Sequence, residues 1–200
     1  MVFANSLLAP FRDRKLIFVH IPKNAGTSVA ESLFGRSFGH HTAKFYRDLD
    51  PEFYQTVPTF AILRDPIDRF ISAYYFMMNG GGDAVPLYAP WRGVYDNAFA
   101  NVDDFIAAHK RACLNYRKLD YVMRPQREFV TDDEGKVIVD HLFLLGRDDR
   151  ELQEFLATYG VPELPVINKT KKASLALTRA QKRFVHDLYP QDFELIANFF

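Results

Sequence analysis

A single cysteine, Cys113, stands in a chain of 200 residues. One thiol cannot close an internal disulfide, and such usage fits a reducing compartment. Cys113 itself reads as a small buried apolar residue. Net charge is also missing, since 25 Lys and Arg balance 25 Asp and Glu. No global field draws the chain to nucleic acid or to an anionic membrane, so any anion site must be local. No apolar run approaches the roughly 20 residues that cross a bilayer. The opening MVFANSLLAPFRDRK has neither a basic start nor a long apolar stretch, and makes a poor signal peptide. Repeats, low-complexity tracts and long linkers are lacking, and the length suits one domain over 1–200. Aromatic residues are abundant, with 19 Phe and 10 Tyr, most of them expected in the core.

The stretch from Leu16 reads LIFVHIPKNAGTS. An apolar run over 16–21 stops at Pro22, a loop Lys23-Asn24-Ala25-Gly26 follows, and Thr27-Ser28 open a helix-compatible segment to Phe34. Strand, tight loop and helix in that order aim backbone N–H groups and a helix dipole at one spot, which suits a phosphate. Lys23 adds a mobile charge and Thr27 and Ser28 add hydroxyl donors. The nucleotide triphosphate loop places lysine directly after its second glycine. Here lysine precedes Gly26 by three residues.

A second strand is expected over 60–64, broken by Asp65-Pro66. Apolar residues at 67, 70, 71, 74, 75 and 78 then follow helical spacing. Asp65 suits the N-cap and Pro66 the first turn. Arg64 falls at the carboxyl end of the strand and Ser72 two turns into the helix.

With these residues, H-I-P-K-N-A-G-T-S resembles the phosphosulfate loop of sulfotransferases that use 3′-phosphoadenosine 5′-phosphosulfate (PAPS). It is closest to the carbohydrate branch, which includes the Golgi-type and heparan 2-O-sulfotransferases. That branch has threonine where this chain has Asn24. Arg64, Asp65, Pro66, Arg69 and Ser72 match the R-D-P-x-x-R-x-x-S pattern of the same family. The resemblance implies that Lys23, Asn24, Ala25, Gly26, Thr27 and Ser28 hold the 5′-phosphosulfate. It implies that Arg64 and Ser72 hold the 3′-phosphate, for which forked arginine donors are well suited. It implies PAPS as donor, 3′,5′-adenosine bisphosphate (PAP) as product, no metal, and a saccharide hydroxyl as acceptor. Animal relatives carry a membrane anchor; this chain reads as a cytoplasmic, bacterial-style member.

Further along, helices are expected over 102–112 with Asn101 as N-cap, over 148–159 ending at Gly160, from Thr178 to Leu188, and over 190–199. A hairpin is expected from 127–131 and 136–139 about Asp132-Asp133-Glu134-Gly135, and a buried strand over 141–145. Alternation of strands and helices argues for an α/β fold, a parallel sheet flanked by helices. Ligands of such sheets bind at the carboxyl ends of the strands, where both motifs fall.

Sulfuryl transfer to a hydroxyl needs a proton acceptor. The 2-O-sulfotransferases place histidines between the two motifs, and this chain has His40-His41 there. Order favours His41, with His40 as the alternative; neighbours on an extended segment face opposite ways. By the same resemblance, Lys169 and Thr170 belong to a basic loop that closes over the 3′ side of the nucleotide. Arg124 and Arg127 suit an anionic acceptor. An ATP-dependent phosphotransferase and an inactive nucleotide-binding module are the rival readings.

Overall fold

The computed structural model describes residues 2–81, 99–112, 121–164 and 175–200. Cys113, Lys169 and Thr170, and the expectations attached to them, lie outside the described residues. The elements in chain order are α1 (Val2–Arg14), β1 (Ile17–Val19), α2 (Gly26–Phe34), α3 (Ala43–Leu49), α4 (Pro51–Thr56), β2 (Thr59–Leu63) and α5 (Pro66–Met78). They continue with α6 (Val102–Ala112), a 3₁₀ turn (Tyr121–Met123), α7 (Arg127–Val130), β3 (His141–Leu144), α8 (Asp149–Ala157), α9 (Arg179–Leu188) and α10 (Pro190–Phe199).

The three strands form one parallel sheet in the order β1-β2-β3, with Phe18 beside Phe60 and Ala61 beside Leu142. Every residue of β1 and β2 is buried, as an apolar run covered on both faces requires. Phe18 and Phe60 stack at 4.7 Å and Phe155 of α8 covers Phe60 at 5.2 Å. A second cluster joins Phe70, Tyr74 and Met77 of α5 to Phe105 of α6 and Val185 of α9. The α/β sheet flanked by helices is therefore the fold that the alternation of elements predicts.

Local chemistry sets the boundaries. Asp65 caps α5 by accepting from the N–H groups of Ile67 and Asp68, with Pro66 at the first position. Asn101 caps α6 through the N–H groups of Asp103 and Asp104. Thr178 and Gln181 form a reciprocal capping box on α9.

Several expectations need correction. The hairpin around Gly135 has no first strand. Residues Arg127–Val130 are a short helix, and pairing is reduced to one antiparallel bridge, Thr131 to Val137. The N–H groups of Gln126 and Arg127 are both taken by Asp192, which starts a helical turn where apolar content alone suggested a strand. β3 is a half-exposed edge rather than a buried strand. α8 ends at Ala157, and Gly160, at φ 82°, closes the turn after it. α1, α3 and α4 were not anticipated.

Candidate functional site

β1 and β2 run parallel, so the loop after one and the helix after the other leave from the same end of the sheet. The loop backbone is unusual. Lys23 and Ala25 both have left-handed φ, 69° and 60°, a region that costs a non-glycine residue free energy. Ala25 is the N-cap of α2 and provides no side-chain bond to it, so no side chain of the cap residue covers the positive end of the helix.

Three cations gather here. Lys23 sets its ammonium 4.2 Å from the ring centre of Phe76 on α5. Arg64 donates from Nη1 to the carbonyl of Lys23 at 3.0 Å. Arg69 is 1% exposed and spends its guanidinium on backbone carbonyls: Nε on Pro22 at 3.2 Å, and Nη2 on Val122 at 3.0 Å and Arg124 at 2.8 Å. Among the described residues, no carboxylate lies within ion-pair distance of Lys23, Arg64 or Arg69. Burial, with Arg64 and Arg69 nearby, pulls the Lys23 ammonium down to about 8. A site in which like charges depress a lysine is one that an anion relieves.

Ser72 is part-exposed on α5. It lies three residues after Arg69 and four before Phe76, both of which meet the loop, so Ser72 falls on the same helix face. Gly26 packs against the ring of His20, where an added Cβ would fall 2.1 Å from Cδ2. Thr27 is half-buried and Ser28 buried in the first turn of α2. Asn24 is turned inward, its amide nitrogen 2.7 Å from the carbonyl of Ile62.

His20 is buried, with no hydrogen-bond partner for Nδ1 among the described residues. Burial first, then His40, lower it to about 3, against a smaller opposing effect of the Phe38 backbone, so it is neutral. His40 stands edge-on to it at 4.4 Å and places Nδ1 3.0 Å from the carbonyl of His20. His41 turns the other way, stacked on Phe45 at 4.3 Å. Partial burial lowers its pKa. The two histidines therefore diverge, as neighbours on an extended segment do, and His40 is the one tied to the strand that leads into the loop.

Model matching finds the sulfotransferase family over residues 10–196. The chain belongs to the sulfotransferase family. Searches of curated proteins and of solved structures gave no match. The family match spans both motifs and the whole sheet of this sulfotransferase domain.

Sequence reasoning missed the residues that brace this sulfotransferase loop. Gln126 is fully buried and bonds both backbone groups of Arg64, its Oε1 accepting from N at 2.9 Å and its Nε2 donating to O at 2.8 Å. Asp192 is also fully buried; burial raises its carboxyl, while Arg69 and the two N–H groups it accepts oppose that. Tyr189 donates to the carbonyl of Met123 at 2.9 Å and lies under Arg69. None of the three carries a local sequence signal, since each acts on a segment more than 60 residues away. The two arginines proposed for an acceptor differ. Arg124 lies 4.2 Å over the exposed ring of Tyr121, whereas Arg127 donates to the carbonyl of Gly135 and faces Glu194.

Two outcomes are expected. Sulfate, whose charge is constant from pH 7 to 9, binds more weakly as pH rises through about 8, because Lys23 loses its proton. Lys23→Met binds sulfate weakly and without that pH dependence; an unchanged profile in this variant would assign the titration elsewhere. Gly26→Ala reduces sulfate affinity by collision with His20, and His20→Ala in the same chain restores part of it, read by calorimetry. No restoration would show that the ring is not the obstacle.

Proposed function

We propose that this chain transfers a sulfuryl group from PAPS to the hydroxyl of an acceptor, with a saccharide as the acceptor class. The observation that carries the reading is the cluster of Lys23, Arg64 and Arg69, without a carboxylate at ion-pair distance among the described residues, beside the start of a helix whose N-cap residue, Ala25, offers no side-chain bond. Such a constellation fits a ligand with two separated anionic groups, and PAPS has them at its 5′ and 3′ ends. The saccharide rests on the resemblance of the loop to the carbohydrate branch.

When bound, PAPS supplies a sulfuryl group whose leaving group is the 5′-phosphate of PAP. The backbone of Ala25, Gly26 and Thr27, with the Ser28 hydroxyl, receives that phosphate. Lys23 neutralises charge growing on the oxygen between sulfur and phosphorus as that bond breaks. Arg64 and Ser72 receive the 3′-phosphate.

The acceptor hydroxyl forms the new S–O bond and gives its proton to a histidine. His40 is the better placed of the two. A carbonyl only accepts, so the contact with His20 O puts the hydrogen on Nδ1 and leaves the lone pair of the neutral ring on Nε2. His41 has no such orienting bond among those described and is held face-on to Phe45. The order of residues favoured His41; the ring geometry favours His40.

Calorimetric titration with PAP, 5′-AMP and ATP is the test. PAP binds more tightly than 5′-AMP by about 10–100-fold, the worth of a charge-assisted pair, and Arg64→Ala removes the difference. Equal binding of PAP and 5′-AMP would refute the donor. In labelled-sulfuryl transfer to a saccharide panel, His40→Ala lowers kcat by about 10²-fold or more while His41→Ala leaves most of it. The reverse order would return the role to His41.

A further inference from the structure

We infer that Asn24 and Gln126 are positioning residues whose side-chain amides stand in for a missing strand beside β2 and so set the spacing between the Lys23 loop and Arg64. The inference rests on the donor reading above and concerns what holds its two anion sites apart.

β1 pairs with β2 only as far as Val19 and Ala61. Beyond that the chain of β1 leaves for the loop, while β2 runs on to Leu63 and is followed directly by Arg64. On the opposite edge β3 keeps pace, with Leu144 beside Leu63 and the N–H of Leu145 donating to the carbonyl of Leu63 at 2.9 Å. Successive residues of a strand direct their backbone groups to alternate edges. Ile62 and Arg64 therefore turn theirs toward the edge that β1 has vacated. Left bare in a buried setting, each group would destabilise the fold.

Two amides fill the gap. Asn24 Nδ2 donates to the carbonyl of Ile62 at 2.7 Å. Gln126 then pairs with both backbone groups of Arg64, as a neighbouring strand residue would. The two side chains are joined, Asn24 Nδ2 donating to Gln126 Oε1 at 2.7 Å. Their orientations are not interchangeable. The N–H of Arg64 requires an oxygen, which fixes Gln126, and that oxygen together with the carbonyl of Ile62 requires the nitrogen of Asn24. Asn24 is 1% exposed and Gln126 is fully buried. Gln126 is held in turn by Asp192, whose Oδ2 accepts its backbone N–H at 2.9 Å.

The chemistry at position 24 is demanding. Both amide hydrogens of Asn24 are used, one toward each acceptor. A threonine has a single hydroxyl hydrogen and can satisfy only one of them. An aspartate has none. The pair thus acts as a splice between the loop and the end of β2, and the bond from Arg64 Nη1 to the carbonyl of Lys23 lies across the same junction. A ligand that touches only the loop is little affected by a change in this spacing, whereas one that spans loop and Arg64 depends on it.

The test is calorimetry with PAP and 5′-AMP on wild type, Asn24→Thr and Gln126→Glu, with folding of each variant checked by circular dichroism. The preference for PAP over 5′-AMP, read as the ratio of the two affinities, is expected to shrink by about tenfold in each variant. Because the two changes break one connected unit, the double variant loses little more than either alone. Asn24→Thr keeps the test available if Gln126→Glu does not fold. Folded variants with an unchanged ligand ratio overturn the inference and leave the donor reading standing. Wild type without any preference for PAP overturns the donor reading, and the inference falls with it.

Discussion

Everything at the end of this sheet depends on holding three cations together with no neighbouring acid at ion-pair distance among the described residues. Arg69 meets that constraint with backbone carbonyls alone, on Pro22, Val122 and Arg124. It therefore ties the loop, the 3₁₀ turn and α5 into one body while keeping its charge. Arg64 does the same for the carbonyl of Lys23. Carbonyl dipoles hold a guanidinium in place without cancelling its field, as a carboxylate would. The result is a positive site in a chain whose total charge is zero.

The loop stores strain as well as charge. Two non-glycine residues in left-handed conformation persist only where the surroundings over-determine them. The surroundings here are explicit: His20 beneath Gly26, Phe76 under the Lys23 ammonium, Asn24 anchored to β2. A bound anion would offset the repulsion among the cations. The donor proposed above, whose leaving oxygen is bonded to phosphorus, would make use of such preorganisation.

Much of this was legible in the sequence, because the signals were local. Apolar runs that stop at Pro22 and at Asp65-Pro66 mark the ends of β1 and β2, and the cap of α5 lies in its own first four residues. What was not legible acts at long range or runs against composition. α1 carries Pro10 in its interior and has little amphipathic pattern, so its burial of Leu8 and Phe11 had no periodic signature. α4 was readable in retrospect, from Asp50 as N-cap followed by Pro51. Residues 127–130 look like a strand and become helix because Asp192 accepts the N–H groups of Gln126 and Arg127 from across the fold. In the site, Lys23 and Arg64 were named from the two motifs, whereas Arg69 stood in the second motif with no role attached to it. Gln126, Asp192, Tyr189 and the inward turn of Asn24 needed the fold, and so did the divergence of His40 from His41.

The decisive measurement is a crystal structure of the complex with PAP. The 5′-phosphate is expected on the N–H groups at the start of α2 beside Lys23, and the 3′-phosphate on Arg64 and Ser72. PAP bound away from the Lys23 loop, or with no phosphate on Arg64, would contradict the donor reading.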